Sequence, residues 1–343
     1  MKKSLLSAFI AFSLFFPMIG AIAQQQIIIQ KVDTTFEGVK NLKISGSFAQ
    51  VSLAMSESNS LSLSGSLAAN EKVAGFSLTY KLIAGTLEIN INYPGNNWVT
   101  HSGEIAIKVP KGASVDIENT SGYIKADAVV GIAVNALTTS GKIFITGCEG
   151  DYALRSTSGD ITATKCIGNF TATTNAGKVI ANDCSGELNL TNLSGETSVI
   201  SYQGNIIAES TSGKLLLESI KGNITAKSAS ALIKVSKAVG NLTLKSFSGQ
   251  INLFDTKGLI LTDSGAGDQI GAQITLLGNS KFASTEGSIK MRITNTTPEL
   301  SFKLLSQDGF IQARGQSKKK KLNYGKGAIL VESTSTTGGQ VFN

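Results

Sequence analysis

The stretch KCIGNFTATTNAGKVIANDCSGEL, residues 165–188, places glycines at 168, 177 and 186 and cysteines at 166 and 184. The glycines fall nine apart, and the interval extends far beyond this stretch. Steps of nine from Gly141 meet Gly150, Gly159, Gly168, Gly177, Gly186, Gly195, Gly204, Gly213 and Gly222. Ala231 breaks the series once, and Gly240, Gly249, Gly258 and Gly267 resume it. Alternate glycines follow Ser or Ala, as in TSG at 157–159 and NAG at 175–177, so the true unit is eighteen residues in two similar halves.

After most of the glycines the second and fourth residues are apolar: Ile161 and Ala163, Phe170 and Ala172, Val179 and Ala181, Leu188 and Leu190. Alternation with period two buries one face of a short strand. A repeat this small cannot bury that face alone and must stack on its neighbours. Two strands and two glycine corners per eighteen residues describe one coil of a single-stranded parallel β-solenoid, an all-β fold. Each coil advances about 4.8 Å, so about nine or ten coils make a rod of roughly 45 Å. No proline occurs between Pro110 and Pro298, which suits strands that must all donate to a ladder.

The corners need glycine for a positive φ or for a close backbone approach. Ala231 is the exception and predicts a relaxed corner. Two residues before the plain glycines runs an apolar column: Val129, Cys148, Cys166, Cys184, Tyr202, Ile220 and Ala238. The cysteines read as buried small hydrophobes on three consecutive rungs. A disulfide between adjacent rungs stays open on geometry. A straight column does not make a zinc tetrahedron, and the single histidine, His101, lies outside it. Asn169, Asn205, Asn223 and Asn241 form another column and predict a side-chain amide ladder. Outward on a third column, Phe144, Ile180 and Leu216 alternate with Thr162 and Ser198, a candidate contact stripe.

No catalytic, cofactor-binding or metal-ligating set is expected. A calcium β-roll carries Asp two residues after its glycine, where this chain has Ile, Val or Leu. Asp160, Asp183 and Glu187 read as solvated turn residues rather than an acid–base pair. The net charge of +7 is mild for 343 residues and does not indicate nucleic acid.

Lys2 and Lys3, the apolar run from Leu5 to Met18 and the Ala21-Ile22-Ala23 motif read as a secretory signal peptide over residues 1–23. The expected location is therefore the periplasm, the outer surface or the extracellular space. Residues 24–100 lose the nine-residue interval but keep strand alternation, and read as a β cap with a loop at YPGNNW, 93–98. The repeats occupy 101–297. Residues 298–343 read as closing strands around a basic loop with Lys318 to Lys321, whose charge blunts a sheet edge.

FEGVKNLKISGSFAQVSLAMSESNSLSLSGS at 36–66, TSGDITA at 157–163, TSGKLLLES at 211–219, GNITAKS at 222–228 and GKGAILVESTSTTGG at 325–339 together resemble a known group. They are similar to bacterial adhesins of the head-GIN type and to the related β-strand-repeat adhesin-like family, a domain of unknown function. The resemblance implies an exported envelope or surface β-solenoid with no catalytic residues. The leading expectation is a non-enzymatic rod that presents flat faces to an envelope or surface protein or polysaccharide. A periplasmic structural or assembly scaffold is the alternative. A polysaccharide-active β-helix enzyme comes third, because it needs clustered carboxylates on one face.

Overall fold

The computed structural model describes residues 26–95 and 99–343; residues 1–23, read above as a signal peptide, and part of the YPGNNW loop lie outside the described residues. The chain winds into a parallel β-solenoid with one seventeen-stranded and one sixteen-stranded sheet. Among the described residues there is no α-helix, only a 3-10 turn at Thr297–Glu299. In one coil, Ile161–Thr164 lies in the first sheet and Ile167–Thr174 in the second. Each pairs in parallel with its counterpart eighteen residues on, Ile161 with Val179 and Phe170 with Leu188.

The period-two residues meet between the sheets. Ile143, Ile161, Val179, Leu215, Ile233 and Ile251 are all buried in one column, with buried Thr197 on the rung between Val179 and Leu215. Burial of each such aliphatic side chain contributes about 1.5–3 kcal/mol relative to exposure. The interior is this stack of identical layers, which is why a short repeat suffices to specify a long core.

The two glycine classes are required for different reasons. Gly168 adopts φ +131°, and a Cβ on it would also overlap the Gly150 carbonyl of the coil below. Gly159 has no positive φ; there a Cβ would drive into the carbonyl of Gly141. Ala231 keeps the hydrogen bond typical of its corner class. Its N–H still bonds Ser228 Oγ at 2.7 Å, as Gly159 N–H bonds Ser156 Oγ at 2.7 Å. Three residues before the plain glycines the corner uses a residue at left-handed φ, glycine at Gly147 but non-glycine thereafter: Lys165, Asp183, Ser201, Ser219 and Lys237 lie between 52° and 58°.

The ends depart from simple winding. Asn41–Ser47 pairs in parallel with both Thr86–Asn92 and Ser114–Asn119, so the first coil in sequence sits second in space. At the other end Ile329–Ser335 inserts between Ser280–Ser284 and Leu300–Ser306, which places the last coil one rung inward. Antiparallel strands then cover both ends. Ile27–Phe36, Leu61–Ala69 and Ser77–Ile83 lie at one end, and Gln316–Lys318 and Lys321–Gly325 at the other. The segment read as a basic loop is thus a pair of short edge strands, because its backbone completes the last ladders. Its lysines remain exposed on that edge. The cap segments stack as further rungs, so seventeen strands span about 75 Å, longer than the repeat alone suggests.

Candidate binding surface

The three cysteines are free thiols, and the whole column from Val129 to Ala238 is buried. Each sulfur donates to the carbonyl two residues back: Cys148 to Thr146 at 3.3 Å, Cys166 to Thr164 at 3.2 Å and Cys184 to Asn182 at 3.2 Å. The asparagine column forms its ladder. Asn223 Nδ2 donates to Asn205 Oδ1 at 3.1 Å, and Asn241 N–H donates to Asn223 Oδ1 at 3.0 Å. Asn169 instead donates to Asp151, and Asn205 donates to Glu187. His101 sits in an aromatic cluster, 4.2 Å from the Phe48 ring and 4.1 Å from Tyr93 between centroids. Its Nδ1–H donates to the Val99 carbonyl at 2.9 Å. Among the described residues no grouping of His, Cys, Asp and Glu can hold a metal ion.

Phe144, Ile180 and Leu216 do share one outward column of the seventeen-stranded sheet, with Thr162 and Ser198 between them. All three are only half-buried rather than proud of the surface. Beside that column Lys142, Asp160, Lys178 and Glu196 alternate in charge, with ion pairs of 3.1 Å and 3.0 Å. The Lys178 N–H and then the Lys142 ammonium hold the Asp160 carboxyl below its usual range.

The sixteen-stranded sheet carries a different face. Four shallow concavities lie along it and along the corner it shares with the Ser-Gly glycines. The first, about 640 Å³, is floored by Leu137 and Ala153 and flanked by Lys43, Asp116, Glu118 and Arg155. Asn135 donates to Asp116 there at 2.8 Å. The second shares Ser45, Glu118 and Leu137 with it and reaches Thr139 and Thr157 at the corner. Two more continue along the same corner past Leu193, Thr211 and Phe247. Phe247 is 78% exposed and Leu193 52%, well above the predicted stripe. Sequence reading passed over both because their column, two before the Ser-Gly glycine, otherwise holds Thr139, Thr157, Asn175, Thr211 and Ala229, a mostly polar and unremarked position.

The chemistry of this face follows from its register. One outward column runs Asn135, Ala153, Thr171, Asn189, Ile207, Thr225 and Thr243, mostly neutral hydroxyls and amides. The neighbouring column holds Glu118, Glu209 and Asp263 against Arg155, Lys227 and Lys245, with Lys227 and Glu209 paired at 2.8 Å. Donors and acceptors therefore recur about every 4.8 Å along the rod without a dominant sign of charge.

A second column missed by sequence reading lies beneath the corner. Thr138, Ser156, Thr174, Asn192, Ser210 and Ser228 are buried three residues before each Ser-Gly position. Most accept from the corner N–H, as Thr138 does from Gly141 and Asn192 from Gly195, both at 2.9 Å. Others donate to the glycine carbonyl, as Ser210 does to Gly213 at 2.7 Å. The signature, a hydroxyl or amide residue three before each such glycine, was present in the sequence.

The fold and this face define a β-solenoid with a long, largely polar and indented face. Residues 28–191 match the family model Toastrack DUF4097, which spans the N-terminal cap and the first coils. That match is to an uncharacterised family and does not bear out the head-GIN designation. A search of curated proteins finds no match. Among solved structures, a "putative cell adhesion protein" from Clostridium sporogenes is 11% identical, covering 91% of this chain and 99% of its own, with TM-score 0.23. A "putative lipid binding protein" from Parabacteroides distasonis is 14% identical over 78% and 96%, with TM-score 0.28. A "putative adhesin" from Bacteroides fragilis is 11% identical over 92% and 97%, with TM-score 0.27. At these scores the fold of this chain rests on its own strand pairing. Among the described residues no helix is long and apolar enough to cross a membrane.

Proposed function

We propose that this chain is an exported, non-enzymatic, adhesin-like β-solenoid that holds a neutral polysaccharide of the cell envelope or surface on its sixteen-stranded face. One observation carries the reading: four concavities lie along that sheet and its corner, lined repeatedly by hydroxyl and amide side chains such as Asn135, Thr139, Thr157, Thr191 and Thr211. A surface that repeats every rung fits a ligand that repeats, since weak equivalent contacts then add along one chain. The balanced charges disfavour a polyanion as the principal partner. Export follows from the leader-like residues 1–23.

The test is retention of the chain from Gln24 on immobilised neutral and acidic envelope polysaccharides and on surface proteins. Thr191→Arg with Thr211→Arg, both exposed in one concavity, should abolish retention on the neutral polymer. Phe144→Ser, Ile180→Ser and Leu216→Ser together should leave it intact. Retention that survives the first pair and is lost in the second set places contact on the other sheet. Binding to none of the ligands favours the periplasmic scaffold. Release of new reducing ends from a bound polymer would favour an enzyme, and none is expected.

A further inference from the structure

Cys148, Cys166 and Cys184 occupy three consecutive rungs of one buried column. Their coils pair in register: Ile167 N–H bonds the Cys148 carbonyl and Ser185 N–H the Cys166 carbonyl, each at 2.9 Å. Adjacent cysteines are therefore one rung apart, about 4.8 Å between Cα atoms. That separation lies within the range a disulfide spans, whereas two rungs do not. All three side chains take the same direction, each bonded to the carbonyl two residues back. Cys184 Sγ also lies 3.4 Å from the Cys166 backbone nitrogen, so its sulfur leans toward the rung below.

We propose that in an oxidising environment this column carries a single disulfide in which Cys166 is the obligatory partner, joined either to Cys148 or to Cys184. With three thiols in a row and only adjacent rungs within reach, the middle residue must take part and one outer thiol must stay free. The chemistry needs a disulfide oxidant, for which glutathione disulfide serves. One cysteine thiolate attacks it, forming a mixed disulfide and expelling one glutathione thiolate. The neighbouring cysteine then attacks the protein sulfur of the mixed disulfide, loses its proton and expels the second glutathione. The products are one protein disulfide and two glutathione thiols, two electrons having passed to the oxidant. Burial of the finished column confines the reaction to folding, before the coils close.

The chain from Gln24, which holds every described residue, is refolded from denaturant in reduced and oxidised glutathione. It is then denatured in acid, and free thiols are blocked with a maleimide for intact-mass and peptide analysis. The wild-type chain should carry one maleimide and a mass two hydrogens lower, with linked peptides that always include Cys166. Cys148→Ala and Cys184→Ala should each retain a disulfide and take no maleimide. Cys166→Ala should take two maleimides and form none; Ala238 already fills the same column buried, so this variant suits the stack. Far-UV circular dichroism confirms that each variant is folded. Three maleimides on the wild type, a persistent glutathione adduct, or a Cys148–Cys184 link would overturn the proposal.

Discussion

At the scale of single residues, the corners decide whether the coil closes. Gly159 has an ordinary φ, so its need for glycine comes only from the Gly141 carbonyl beneath it. Gly159→Ala should destabilise the protein by about 3 kcal/mol, the upper part of the usual range for one substitution, read from the denaturation midpoint. The buried hydroxyl column offers a finer contrast. Ser156 Oγ accepts from the Gly159 N–H at 2.7 Å, so Ser156→Ala strands a buried donor and should cost about 1–3 kcal/mol. Ser246 occupies the same column, but its buried Oγ has no partner, and Ser246→Ala should cost far less. Equal losses at the two positions would contradict this reading. The glycine interval was legible in the sequence because a Cβ clash repeats from rung to rung, with Ala231 the one interruption in the run from Gly141 to Gly267. The left-handed residue at Lys165 and Asp183 was not, because it recurs without a fixed residue type.

At the scale of strands and coils, the repeat fixes stacking within the rod and leaves its ends to other forces. The displaced coils bring opposite charges together. Lys43 stands between Glu88 and Asp116, and Glu332 stands between Lys281 and Lys303. Winding in sequence order would set Glu88 beside Asp116 at one end and Lys281 beside Lys303 at the other. Lys303 and Glu332 pair at 2.9 Å, and that hydrogen bond lowers the Glu332 carboxyl's pKa. Glu332→Lys should therefore lower the melting temperature by more than Glu332→Gln, at below about 1 kcal/mol per cross-strand pair. The difference should shrink in high salt; a salt-independent loss would assign the effect to packing. This ordering was not legible in the sequence, since both end coils keep ordinary strand alternation and nothing in it marks which neighbour each one joins. Within the rod, Asp160 supplies a pH test. Its carboxyl is held below the usual value of about 3.9. Its contribution is thus complete above that value and is lost as pH falls through the depressed one. Melting curves of the wild type and Asp160→Asn should differ at neutral pH and converge in acid.

At the scale of the whole molecule, the architecture was readable from spacing and alternation, while the contact face was only partly so. The sequence placed Phe144, Ile180 and Leu216 on one column, and the structure sets them there, half-buried among Thr162 and Ser198. It did not show that the concavities gather on the opposite sheet, because surface relief depends on how neighbouring rungs and corners project rather than on any one column. The rod thus presents two unlike faces, one with a low apolar stripe and one polar and indented. The most direct test is hydroxyl-radical footprinting of the chain from Gln24 with and without a retained neutral polysaccharide. Protection is predicted at Leu137, Leu193 and Ile207, which are exposed on or beside the sixteen-stranded sheet. No change is predicted at Phe144, Ile180 or Leu216. Protection of those three with the first set unaffected would contradict the account.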